Sequence, residues 1–136
     1  MKVFDISLGS LTFVIFLALG PGARAIDLTG MWATDAAECN EVFVKKGKTI
    51  SFSKHSDRHA SGFIVEGDRL KGKLATCKIK ARREDGDTVH MIAACATDIM
   101  LSDVQFSLRV VDQNKIMRIY PGVPDMQQSY ERCPMK

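Results

Sequence analysis

Apolar and polar residues alternate with a period of two through most of the chain. In "KTISFSK" Ile50 and Phe52 share one face, while Thr49, Ser51 and Ser53 share the other. "GFIVEG" (62–67) is a short β-rich run that ends on a turn signal. "VQFSLRVV" sets Val104, Phe106, Leu108 and Val110 against Gln105, Ser107 and Arg109. "KIMRIY" follows Asp112-Gln113-Asn114, where a two-residue loop would place Val110 opposite Met117 and Leu108 opposite Ile119. "QQSYERC" (127–133) fits a last strand. Alternation of this kind, punctuated by Gly, Asp and Asn, predicts an all-β domain: a small antiparallel β-barrel or a sandwich. A short N-terminal helix is predicted over "TDAAECNEVF" (34–43), with Thr34 or Asp35 as the cap of a turn or two.

One stretch breaks the alternation. In "RLKGKLATCKIKARR" the basic residues fall at 69, 71 and 73, then at 78, 80 and 82. A flat strand cannot change parity, so a bulge or bend is predicted near Ala75-Thr76, as small barrels use to turn corners. Beyond it, "CKIKARREDGDTVHMIAAC" reads as a hairpin turning at Asp85-Gly86-Asp87. Folded about Gly86, it brings Cys77 opposite Cys95, Ile79 opposite Ala93 and Ala81 opposite Met91, so that apolar residues meet on one face.

The N-terminal 25 residues follow a different pattern. Lys2 precedes an uncharged apolar run, Leu8 to Leu19, which Gly20-Pro21-Gly22 would break. Ala23-Arg24-Ala25 then fits the small-x-small rule of signal peptidases. Residues 1–25 are therefore expected to be a signal peptide, and 26–136 a single β domain, periplasmic or secreted. The run is short for a bilayer span, and no second one follows, so no stable membrane insertion is expected after cleavage.

Export changes the meaning of the cysteines. Cys39, Cys77, Cys95 and Cys133 all follow the cleavage point, and an even number in a small exported domain implies two disulfides. The spacing is too wide for paired zinc ligands. Three connectivities exist. The hairpin register favours Cys77 with Cys95, which leaves Cys39 with Cys133, although directly opposed strand cysteines are geometrically demanding and the other pairings stay open.

Charge and motifs narrow the function mostly by exclusion. The net charge of +3 falls by one when Lys2, Asp5 and Arg24 are removed, too mild a balance to call for nucleic acid. The basic positions Lys71, Lys73, Lys78, Lys80, Arg82 and Arg83 read as the wet face of a sheet, without the interleaved aromatics that stack bases. His55, Asp57 and His59 have ligand spacing but sit in a polar loop, so no metal site is expected. His90 is expected on the face away from Cys95. Nucleophile elbows, zinc-protease signatures, phosphate loops and dinucleotide fingerprints do not occur. With the thiols paired, no catalytic residue, cofactor or enzymatic activity is expected.

Two short motifs carry a resemblance. Gly30-Met31-Trp32, just inside the expected mature start, resembles the opening of lipocalin-like (calycin) barrels and, more weakly, of periplasmic metalloprotease-inhibitor barrels. Thr97-Asp98 in "CATDIM" is similar to a turn found in many lipocalins. The chain as a whole is also similar to small exported proteins of Gram-negative bacteria, a likeness that implies no activity. The barrel resemblance implies that Trp32 plugs the closed end beneath a late-strand arginine, with Arg118 the first candidate and Arg132 the second. Two functions are expected, one from the small, doubly stapled scaffold and its Pro-Gly loop, the other from the barrel resemblance. The first is a monomeric protein-binding or inhibitor-type module acting on an envelope or secreted protein, with the stiff loop Pro121, Gly122, Val123 and Pro124 as its interaction loop. The second is a lipocalin-like carrier of a small apolar ligand. A chain this short is expected to fill its interior with its own side chains, which ranks the module first; an open apolar cavity of a few hundred Å³ would reverse the order.

Overall fold

A computed structural model describes residues 24–134. The expected signal peptide lies outside the described residues except for Arg24 and Ala25. The elements run β1 (Gly30–Ala33), α1 (Cys39–Val42), β2 (Phe43–Lys46), β3 (Thr49–Phe52), β4 (Gly62–Glu66), β5 (Arg69–Lys71), β6 (Thr76–Asp85), β7 (Thr88–Ala96), β8 (Leu101–Asp112), β9 (Lys115–Ile119) and β10 (Gln127–Cys133). Eight strands close an antiparallel barrel in the order β1-β10-β9-β8-β7-β6-β5-β4, and β2-β3 form a separate hairpin. The all-β fold follows from the period-two pattern, and of the two architectures it allows the structure is the barrel. The predicted helix is a 3₁₀ turn over Ala36–Glu38 running into α1, capped by Asp35, whose Oδ1 accepts from the Ala37 N–H at 2.9 Å.

Two apolar layers hold the molecule. Inside the barrel, Trp32, Phe63, Val65, Val89, Met91, Leu108 and Ile116 pack as one cluster. Outside it, the β2-β3 hairpin and α1 lay Val42, Phe43 and Ile50 over the outward residues Met31, Ala33 and Ile64. Phe63, Ile64 and Val65 are therefore all buried, because β4 is covered on both faces. Each such side chain contributes roughly 1.5–3 kcal/mol when fully removed from water. Gly62 lets the hairpin seat this closely, since a Cβ there would come within 2.6 Å of the Trp32 carbonyl oxygen and 2.8 Å of the Phe43 ring.

Both disulfides have the favoured pairing, Cys39–Cys133 and Cys77–Cys95. The first fastens the outer layer to the last barrel strand; the second bridges directly opposed residues of β6 and β7. Two disulfides point to an oxidising environment. Among the described residues, no helix is long and apolar enough to cross a membrane.

Three expectations about register need correction. The parity change in "RLKGKLATCKIKARR" is a hairpin, not a bulge at Ala75-Thr76. Lys71 pairs with Thr76 across a tight turn closed by Gly72 N–H to Ala75 C=O at 2.8 Å. A four-residue loop sets odd positions of β5 opposite even positions of β6, which moves the basic residues as observed. The bulge lies further on: register shifts between Ile79 and Ala81, so Ala81 faces Ile92 rather than Met91. The hairpin then closes at Asp85 and Thr88, with Gly86 at φ 59. The third correction concerns β8 and β9. Asp112 pairs with Lys115, but a shift between Val110 and Asp112 puts Val110 opposite Ile116 and Leu108 opposite Arg118. Slipping an antiparallel pair by one residue exchanges its faces, so Ile116 and Arg118 point into the barrel.

Candidate functional site

The barrel is sealed at one end and open at the other. At the sealed base, residues 26–30 cross the opening and bury Leu28 beside Trp32. The Trp32 indole is fully enclosed, and its Nε1–H donates to the Leu28 carbonyl at 2.8 Å. Arg132, paired with Trp32 across β1 and β10, lays its guanidinium 4.2 Å from the indole centroid. Its N–H groups donate to the main-chain carbonyls of Gln113 (2.9 Å), Asp27 (3.2 Å) and Thr29. Gly30 makes this approach feasible, because it sits at φ +135 and a Cβ would lie 3.0 Å from Arg132 Nη1. The Thr29 N–H, donating to Asp27 at 2.9 Å, holds that carboxyl below the usual carboxylate range, with Arg132 adding to the pull. Ile26 is held too: its N–H donates to Glu84 Oε1 at 2.9 Å, and Arg82 donates to its carbonyl.

Gly30 and Trp32 lie at this end of the barrel, and Arg118 does not cover the indole. Arg132 does. The bulge at Val111 turns Arg118 into the barrel, but Arg118 lies level with Leu108 and Gln128, toward the mouth, whereas Arg132 is paired with Trp32 itself.

That opposite end is a cup of about 330 Å³. Its wall is formed by residues of seven strands, β4 to β10, among them Phe63, Leu70, Val104, Phe106, Leu108 and Tyr130, together with the Cys77–Cys95 bridge. Arg118 is the charged residue in this lining. Its guanidinium lies 4.7 Å from the Phe106 ring centroid and 4.8 Å from that of Tyr120. Among the described residues no carboxylate pairs with it. Beside it, the Tyr130 ring packs edge-on against Phe63 at 4.9 Å. Burial pushes the Tyr130 phenol above its ordinary pKa, against a smaller opposing pull from Arg118, so at neutral pH it is an uncharged hydroxyl.

The mouth is rimmed by three loops: 72–75, 97–100 and 120–126. Their exposed tips are apolar. Leu74 is 82% exposed, Ile99 95% and neighbouring Leu101 84%, with Met100, Val123 and Met126 also exposed. Thr97 shapes the middle loop, accepting at Oγ1 from the Met100 N–H at 3.1 Å. Pro121, Gly122, Val123 and Pro124 belong to the third loop and stand exposed at this rim. The alternation pattern offers no sign of the cup, since inward positions that pack and inward positions that leave space look alike in sequence.

The remaining candidate residues stay apart from both ends. His55, Asp57 and His59 flank or form a 3₁₀ turn over Ser56–Arg58, and no group of three metal-ligating side chains gathers among the described residues. His90 points outward, away from Cys95, and its Nδ1 lies 2.8 Å from Ser107 Oγ on the outer wall. Comparison with family models, with curated proteins and with solved structures gives no match.

Proposed function

We propose that this is an exported carrier, periplasmic or secreted, that reversibly holds a small and largely apolar molecule in the cup. The observation that supports it is the apolar cavity of about 330 Å³ beside a sealed base. Eight-stranded barrels are wide enough to hold one small ligand, and ligand sites are concave, mostly apolar and marked by a few polar groups. The lipocalin-like resemblance of the Gly-Met-Trp motif is consistent with the same role. A cavity of this kind moves the carrier ahead of the protein-binding module that the chain's length alone favours.

Titration with an apolar fluorescent dye tests the reading, with Val104→Trp as the variant that fills the cup from its wall. The expected result is saturable dye binding to the native protein and loss of it in the variant, with an unchanged circular dichroism spectrum. Equal binding in both proteins would overturn the proposal. A second reading draws on the exposed apolar rim: the mouth loops, Pro121 to Pro124 among them, would dock an envelope or secreted protein. Binding of such a partner that survives Val104→Trp but not Leu74→Ser with Ile99→Ser would favour it.

A further inference from the structure

Resting on the carrier reading, we infer that the ligand is an amphiphile with a single acidic group, a carboxylate of modest length, and that Arg118 selects it. Arg118 is half-buried at the open mouth, where water can reach its N–H groups, and a ligand that fills the cup takes that water's place. Arg132 shows what compensation looks like in this same barrel: one aromatic ring and three carbonyl acceptors. Arg118 has the rings, Phe106 and Tyr120, but no carboxylate partner among the described residues. Ring faces attract a cation without using its N–H donors. A guanidinium carries five such donors in a planar fork that matches a carboxylate in bidentate fashion. The cup supplies one cation and no anion, so a ligand bearing one negative charge matches it, whereas a neutral ligand displaces water from the fork without replacing its charge-assisted bonds and a cationic one meets repulsion.

Tyr130 completes the polar end. Its phenol, protonated at neutral pH like any tyrosine, lies beside the guanidinium and can donate to a second carboxylate oxygen. The rest of the lining, Phe63, Leu70, Val104 and Leu108, receives a hydrocarbon body. At ~30 Å³ for each water-sized group, the cavity accepts on the order of ten non-hydrogen atoms. Longer tails would pass the mouth and lie along the apolar rim.

Octanoate and 1-octanol, compared by isothermal titration, separate this inference from the carrier reading on which it rests. Native protein is expected to bind octanoate roughly ten-fold or more tightly than octanol, the range of a charge-assisted hydrogen-bonded contact. Arg118→Met should abolish that preference by weakening octanoate binding, and Arg118→Lys should recover part of it. Equal affinities in the native protein, or a preference that survives Arg118→Met, would overturn the acidic-ligand inference and leave the carrier intact. Binding of neither compound would overturn both. Should Arg118→Met fail to fold, the native comparison still decides, together with the Arg118 Nε–H resonance, which octanoate but not octanol should shift.

Discussion

At the base of the barrel Arg132 rests 4.2 Å from an indole centroid and spends its donors on the carbonyls of Asp27, Thr29 and Gln113. At the mouth Arg118 rests 4.7 and 4.8 Å from two rings, in a lining that provides no carboxylate. Both arginines point inward from neighbouring strands, β10 and β9. The difference lies in what surrounds their edges. A guanidinium whose edge is satisfied by backbone is a structural lock; one whose edge is open still has donors to offer. Cation–aromatic contact alone does not distinguish the two roles, and counting acceptors does.

Removing each arginine in turn is the strongest way to break this contrast. Arg132→Met should cost ~2–3 kcal/mol in urea denaturation, through lost charge-assisted hydrogen bonds and ring contact. Arg118→Met should stay within about 0.5 kcal/mol of the native protein. If Arg118→Met destabilised as much as Arg132→Met, the division into lock and binding group would be wrong.

Glycines sharpen the comparison at a smaller scale. Gly30 at the base and Gly122 at the mouth both have positive φ, 135 and 90. A Cβ at Gly30 would crowd Arg132, while one at Gly122 meets nothing within 4 Å. Gly30→Ala is therefore expected to lower stability by ~2 kcal/mol, combining backbone strain with disturbance of the lock, and Gly122→Ala by only ~1 kcal/mol from strain. Thermal melts of the two variants should rank in that order.

The smallest effect concerns pH. Burial raises the folded-state pKa of Tyr130 above its unfolded value near 10. Between those two pKa values the folded protein holds a proton that the unfolded chain has released. Stability from this group is thus complete below pH 10 and is lost as pH rises through the folded pKa. Tyr130→Phe should flatten the alkaline arm of a stability-against-pH curve.

Much of the barrel was legible in the chain because alternation is a local property. Strands β3, β4 and β6 to β10, the Asp35-capped helix and the hairpin register that pairs Cys77 with Cys95 all follow from residues close together in sequence. The β2-β3 hairpin escaped because "FVKK" is too short to show a period, and its apolar residues find their partners only on β4. Which arginine covers Trp32 escaped because it depends on β1 pairing with β10 from the far end of the chain, and the facing of Arg118 escaped for a different reason. Turn chemistry at Gln113-Asn114 sets the pairing of Asp112 with Lys115 correctly, but one extra residue at Val111 reverses the faces beyond it. Bulges are set by how a sheet must curve to close, and closure involves all eight strands at once. The adjacent apolar pair Val110-Val111, which breaks strict alternation, is the local trace of it. The cup, being a matter of volume left unfilled, has no local trace.

Arg132 grips its neighbours through peptide oxygens alone, and this decides which positions around the seal are free to drift. Thr29 and Gln113 present their side chains to solvent, so exchanging either leaves the gripping oxygen in place. Gly30 has no such latitude, since any larger residue collides with the grip itself. Descendants of this sequence should therefore scatter at 29 and 113 while holding 30, 32 and 132 as a set.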